Sequence, residues 1–163
     1  MLLPENCKIV EGWAIQTMGS AATGDYVSLE GYARAMIVVQ IRNGHASSGA
    51  LTVFAATDTT GTNGAAMTLT NVWALTDYVL GTSTSTAMTK LPAAASFATD
   101  ATSSTDQWWV IDIDASELGR NATSGLPNVA ISPRLAASNS ANYSGCMIYL
   151  YNPRYAGSDI EVL

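Results

Sequence analysis

Charge is scarce in this sequence. Asp, Glu, Lys and Arg together make up 12% of its 163 residues, about half the share usual in soluble domains. Lys and Arg number 7 against 13 Asp and Glu, a formal net charge of -6. That balance argues against a nucleic-acid binder, whose phosphate contacts need clustered Lys and Arg. One His and two Cys are too few for a zinc cluster or a disulfide scaffold held by this chain alone. No apolar run approaches the ~20 residues that span a bilayer, so no membrane partner is expected. Met1 to Lys8 lack a basic stretch followed by a long apolar one and do not read as a secretory signal. Synthesis in a cytoplasm is therefore expected, with Cys7 and Cys146 both reduced.

What is present is a 48% hydrophobic composition, enough for a real core, punctuated at short intervals by Gly, Ser, Thr, Asn and Ala. Short β-branched runs between turn residues are strands rather than helices. In Ala33–Arg42 the odd positions Ala35, Ile37, Val39 and Ile41 are all apolar. Period two turns them inward, and a centre that is apolar on both faces predicts a strand internal to its sheet or covered on both sides. Asn43-Gly44 closes the run, and Leu51–Thr57 follows with Leu51, Val53 and Ala55 on one face, which predicts a hairpin with the preceding strand.

Further strands are expected over Met67–Ala74, Gln107–Asp114, Asn128–Ser132 and Gly145–Tyr151, the last broken by Asn152-Pro153. Ala87–Leu91 and Ser96–Thr99 are weaker candidates on either side of Pro92; Ala93–Ala95 could instead form a helical turn, but so short an isolated helix would not hold. Thr82–Thr86 reads as a surface loop. Asp114 is placed as the N-cap of one short turn that stops at Gly119. About eight strands with short turns and at most one helical turn predict an all-β fold, an antiparallel two-sheet sandwich or jelly roll. The organisation expected is an N-terminal arm over residues 1–8 and a single sandwich domain over residues 9–163.

Chemistry-bearing residues are few. His45 sits in a loop, with no G-x-S-x-G elbow anywhere to supply a nucleophile. Asp112 and Asp114 point the same way from a strand with Glu117 nearby, but the spacing of a calcium loop is absent. Asp100, Asp106 and Glu11 could pair as glycosidase acids only on composition. No catalytic residue, metal or cofactor is expected, and the chain is read as a non-enzyme.

The aromatics say more. In Gln107–Asp114, Trp109 shares a face with Ile111 and Ile113, so Trp108 must lie on the other, either under a neighbour or exposed. A flat aromatic on a sheet suits a protein interface or a sugar platform. Tyr149 and Tyr151 share a face, and Arg154 beside Tyr155 offers a bidentate donor. The interface candidates are Leu2, Leu3, Pro4, Trp73, Trp108, Tyr149, Tyr151, Arg154 and Tyr155.

Several stretches resemble the small virion structural proteins of tailed bacteriophages. These are Val39–Ala46, Leu51–Asp58, Asn71–Asp77, Trp108–Asp114 and Ser138–Asn142, followed by Tyr149 and Arg154–Gly157. Together they span roughly residues 32 to 157, and their order and spacing carry the likeness. The resemblance implies a capsid decoration (cement) protein: a homotrimer on the capsid surface of the virion, made in the bacterial host and bound to the major capsid protein. The alternative is a carbohydrate- or receptor-binding sandwich from a tail or fibre, with Trp108 or Trp73 as platform.

Overall fold

The computed structural model describes residues 7–78 and 87–153. Among them twelve strands form two antiparallel sheets packed as a β-sandwich. The strands are β1 (Cys7–Thr17), β2 (Ala22–Thr23), β3 (Val27–Ser28), β4 (Tyr32–Asn43), β5 (Ala50–Ala56) and β6 (Ala65–Ala66). After them come β7 (Val72–Tyr78), β8 (Thr89–Leu91), β9 (Phe97–Ala98), β10 (Thr105–Asp114), β11 (Ala130–Leu135) and β12 (Tyr143–Pro153). The first sheet has the order β1-β12-β4-β10-β7-β8. The second runs β2-β11-β5-β6, with β3 also on β11 and β9 also on β5.

Period two holds where it was clearest. Ala35, Ile37, Val39 and Ile41 on β4 are buried, as are Trp109, Ile111 and Ile113 on β10. They meet Leu51, Val53, Ala55, Ile131 and Leu135 from the second sheet in one core. β4 lies inside its sheet, between β12 and β10. Asp114 caps the single 3-10 turn, Ala115–Leu118, by accepting from the Ser116 amide at 2.8 Å, and Gly119 follows at φ +60°.

Three expectations need correction. β4 and β5 do not form a hairpin, because β5 belongs to the second sheet. Their inward sets face each other across the core rather than lying side by side, and the loop between them is long enough to cross the ~10 Å between sheets. The segment from Met67 is not strand until Val72; before it Leu69 makes one isolated bridge to Ala94. In that bridge Ala94 is held without a helical turn, as expected of so short a stretch. Asn152-Pro153 does not break the last strand. β12 passes Asn152 (φ +54°) to Pro153 opposite Tyr32, and β11 runs through Pro133. Pro133 is tolerated because it falls between the rungs to β3 (Ala130, Ile131) and those to β2 (Arg134, Leu135), where its missing N–H breaks no ladder bond.

β1 is a strand without a clean alternation. Its pairing with β12 shifts register between Glu11 and Trp13 and again between Trp13 and Gln16. The shifts turn Trp13 inward, where its indole donates to Ser144 Oγ at 3.0 Å. Cys7 and Lys8, at the end of the segment read as an arm, already pair with Tyr151 and Leu150. Both cysteines are free thiols: Cys7 stands opposite Tyr151 and Cys146 opposite Trp13. Six strand residues separate those rungs, about 20 Å, far beyond disulfide reach.

Candidate functional site: the outer face of the first sheet

The face of the first sheet that points away from the core is unusually apolar. One rung crosses all six strands as Glu11, Met147, Val38, Val110, Trp73 and Lys90. An acid stands at one edge, a cation at the other, and four apolar side chains lie between. The next rung carries Gly145, Gln40, Trp108 and Leu75. Trp108 is 36% exposed, Met147 37% and Ile15 79%, while Ile9 and Tyr143 are also exposed. Side chains of this size left in water cost about 25 cal/mol per Å² of apolar surface relative to burial. Such a patch marks an interaction surface.

Where β1 shifts register, a groove of about 430 Å³ opens on this face. Val38, Met147, Gly145, Trp108, Ile15 and Tyr149 line it. A Cβ on Gly145 would stand 3.0 Å from Ile15 Cγ1, so glycine is what lets β1 lie this close. Glu11 and Gln40 supply polar groups at the rim. A second hollow of about 240 Å³ continues past Ile15 to Arg42 and Tyr143.

At the other end of the face lies a closed polar cluster. Asp112 accepts from Arg34 through one oxygen and from the Tyr151 hydroxyl through the other, the latter at 2.6 Å. Arg34 also lies over the Tyr151 ring, 5.9 Å from its centroid. The Asp112 carboxylate raises the Arg34 pKa further, and burial, followed by the hydrogen bond to Asp112, pushes the Tyr151 phenol up to about 12. Both Asp112 oxygens are thus engaged within the chain, while the buried Arg34 Nε has no hydrogen-bond partner among the described residues.

Of the sequence candidates, Trp73, Trp108, Tyr149 and Tyr151 are brought together on this one face. Trp73 is already covered, with Lys90 Nζ 5.4 Å from its ring centroid. Leu2, Leu3, Pro4, Arg154 and Tyr155 lie outside the described residues, as does the Thr82–Thr86 run. The three glycosidase-type acids are not gathered. Glu11 lies on β1, three strands from Asp106 on β10, while Asp100 holds its own turn by accepting from the Thr102 amide at 3.1 Å. His45 sits in the loop after β4, its backbone N–H donating to Asn142 Oδ1 at 2.8 Å. Among the described residues no group of His, Cys, Asp and Glu is placed to hold a metal ion. Among them too, no helix is long and apolar enough to cross a membrane.

Sequence reasoning missed Ile9, Ile15, Val38, Gln40 and Met147 as parts of this face. Met147 was legible, since it has the parity of Tyr149 and Tyr151. Ile15 was not, because the register shifts in β1 erase its period.

No family model matches the chain, and no curated protein does. Among solved structures, the SPBc2 prophage-derived protein YomS is similar at 13% identity, covering 90% of this chain and 94% of that one, with a TM-score of 0.47. A likeness of that grade assigns neither mechanism nor partner.

Proposed function

We propose that this is a non-enzymatic structural protein of a bacteriophage virion, which decorates and stabilises the capsid through contacts with its own copies and with the major capsid protein. The observation that carries the reading is the outer face of the first sheet. A rigid two-sheet body leaves Trp108, Met147, Ile15, Ile9 and Tyr143 exposed on one side or edge. Its charged residues stand at the ends and edges of the sheet, where Arg34 faces Asp112 and Arg42 faces Asp106. A face of this kind is suited to adhesion, with large apolar anchors surrounded by a polar rim. In a closed trimer one such interface is used three times, and contacts that are weak singly hold together on a lattice.

The edge strand β1 adds a second kind of contact. Among the described residues its outer backbone edge pairs with no further strand, and an open edge accepts a strand from another chain. Leu2, Leu3 and Pro4 directly precede that edge, and Arg154 and Tyr155 directly follow its partner β12. All five are proposed contact residues of the assembly.

Light scattering on the purified protein and co-sedimentation with expanded, undecorated shells test the reading together. The expected result is a trimer that binds shells and raises their resistance to heat. A monomer that leaves shells unbound and unprotected overturns it.

A further inference from the structure

Several aromatic rings on this protein's outer faces lie under a cation, whereas Trp108, Tyr149 and Tyr143 do not among the described residues. Lys90 lies over Trp73, and Arg34 over Tyr151. On the second sheet Arg134 lies 3.7 Å from the centroid of Phe54 and 5.7 Å from that of Tyr26. Trp108 and Tyr149 line the groove. The rim beside them holds the Glu11 carboxylate, which forms no ion pair with any described residue, and the Gln40 carboxamide, equally free of a hydrogen bond there. A carboxylate, an amide and an aromatic face beside apolar side chains are what a long basic side chain requires. Its stem lies on apolar groups, and its charged head meets the acid and the ring.

We propose that the groove receives a Lys or Arg side chain from an extended segment of a different protein, its stem over Val38 and Met147 and its head between Trp108 and Glu11. The inference rests on the adhesive reading above and names the chemistry of the partner at that face. Charge complementarity selects this occupant. The groove lining contains one acid and no Lys or Arg, and Arg42 of the adjoining hollow is offset by Asp106 at 3.8 Å, so the groove favours a cation over an acidic or phosphorylated ligand. The chain itself is a poor donor. Arg34 and Arg42 face Asp112 and Asp106, Lys90 donates to Asn71, Arg120 to the Gly125 carbonyl and Arg134 to Tyr26. Only Lys8, among the described cations, has no side-chain partner there.

The test is a pair of blocked peptides, acetyl-Thr-Val-Lys-Val-Thr-amide and its glutamate counterpart, titrated into the full-length protein and followed by NMR. The lysine peptide is expected to shift the Trp108 indole N–H and the Glu11 and Gln40 amides saturably, and the glutamate peptide to leave them in place. Glu11→Gln and Trp108→Leu are expected to weaken binding roughly three- to tenfold, the range of an exposed cation–aromatic or ion-pair contact, and added salt to weaken it in the wild type. Glu11 is exposed, so its isosteric variant keeps the fold, which thermal unfolding verifies.

Equal shifts from both peptides, or none from either, overturn the proposal. So does undiminished binding by Glu11→Gln. Saturation of the same signals by maltose but not by the lysine peptide gives the groove to a saccharide. Their disappearance on raising protein concentration alone gives it to a second copy. Shell binding by Glu11→Gln, measured alongside, separates the two levels. Shell binding as strong as wild type overturns this inference and leaves the adhesive reading standing, whereas wild-type protein that ignores shells overturns that reading itself.

Discussion

The Tyr151 hydroxyl donates to Asp112 at 2.6 Å, tying β12 to β10 across the intervening strand β4. Burial is the first cause that pushes the phenol up to about 12, and its bond to Asp112 the second. A raised folded-state pKa means that the neutral phenol is favoured by folding. Its stabilisation is therefore complete below the ordinary tyrosine value, near 10, and is lost as pH climbs from there through about 12. Ultraviolet titration should show the Tyr151 tyrosinate appearing well after that of an exposed tyrosine, with Tyr151→Phe deleting the late step. Loss of this hydrogen bond to a charged acceptor should cost about 1–3 kcal/mol in denaturant unfolding.

Gly12 and Cys146 form the tightest joint between β1 and β12. A Cβ on Gly12 would stand 2.6 Å from Cys146 Sγ, closer than real contacts allow. Gly12→Ala should destabilise the protein by about 1–3 kcal/mol, the usual range for overpacking. Removing the sulfur by Cys146→Ala should restore part of the loss, so the double mutant should be more stable than the sum of the singles allows. Additive effects in denaturant unfolding would show that the two residues do not meet.

The cysteines should differ in reactivity. Cys146 is buried, and desolvation pushes its thiol up to about 12, so almost no thiolate exists near neutral pH. Cys7 is only partly buried, and the same cause raises its pKa. Mass spectrometry after brief alkylation of the native protein should find Cys7 modified before Cys146, and both modified at comparable rates in denaturant. Fast native labelling of Cys146 would contradict the packing of β1 on β12.

Asp58 organises the loop between β5 and β6. Its Oδ1 accepts from the Thr60 amide at 2.9 Å, the Thr60 hydroxyl at 2.8 Å and the Thr62 amide at 3.0 Å. Hydrogen bonds from Thr62, then from Thr60, hold its pKa down at about 2. A depressed pKa stabilises the loop above the ordinary carboxylate range, and that support is lost as pH falls through about 2. The amide signals of Thr60 and Thr62 should lose their dispersion over that interval, and in Asp58→Ala at every pH. Signals that stay fixed in the variant would rule out this anchoring.

The sandwich was legible because its central strands obey one rule, from Ala35 onward in β4 and throughout β10. Over those stretches each buries every other residue, and Trp108-Trp109 divides cleanly into one exposed and one buried indole. What the sequence could not carry was pairing. Nothing local in Asn43–Gly49 distinguishes a tight return from a crossing to the opposite sheet, because the choice is made by the facing apolar sets of β4 and β5. β1 was illegible for a different reason: its register shifts break the alternation at Trp13, and the same shifts open the groove. The feature that hides the strand therefore creates the site. Trp73, Trp108 and Tyr149 could be found as aromatics on outward positions, but the groove that Glu11 and Gly145 line exists only once β1 lies beside β12.

Imaging of intact particles is the most direct test of the central claim, that this protein adheres through the outer face of its first sheet. The account predicts density for the protein on the capsid surface, with Trp108, Met147 and Ile15 turned toward a neighbouring copy or the shell. Particles that lack the protein, or that carry it with Trp108 facing open solvent, would contradict the account.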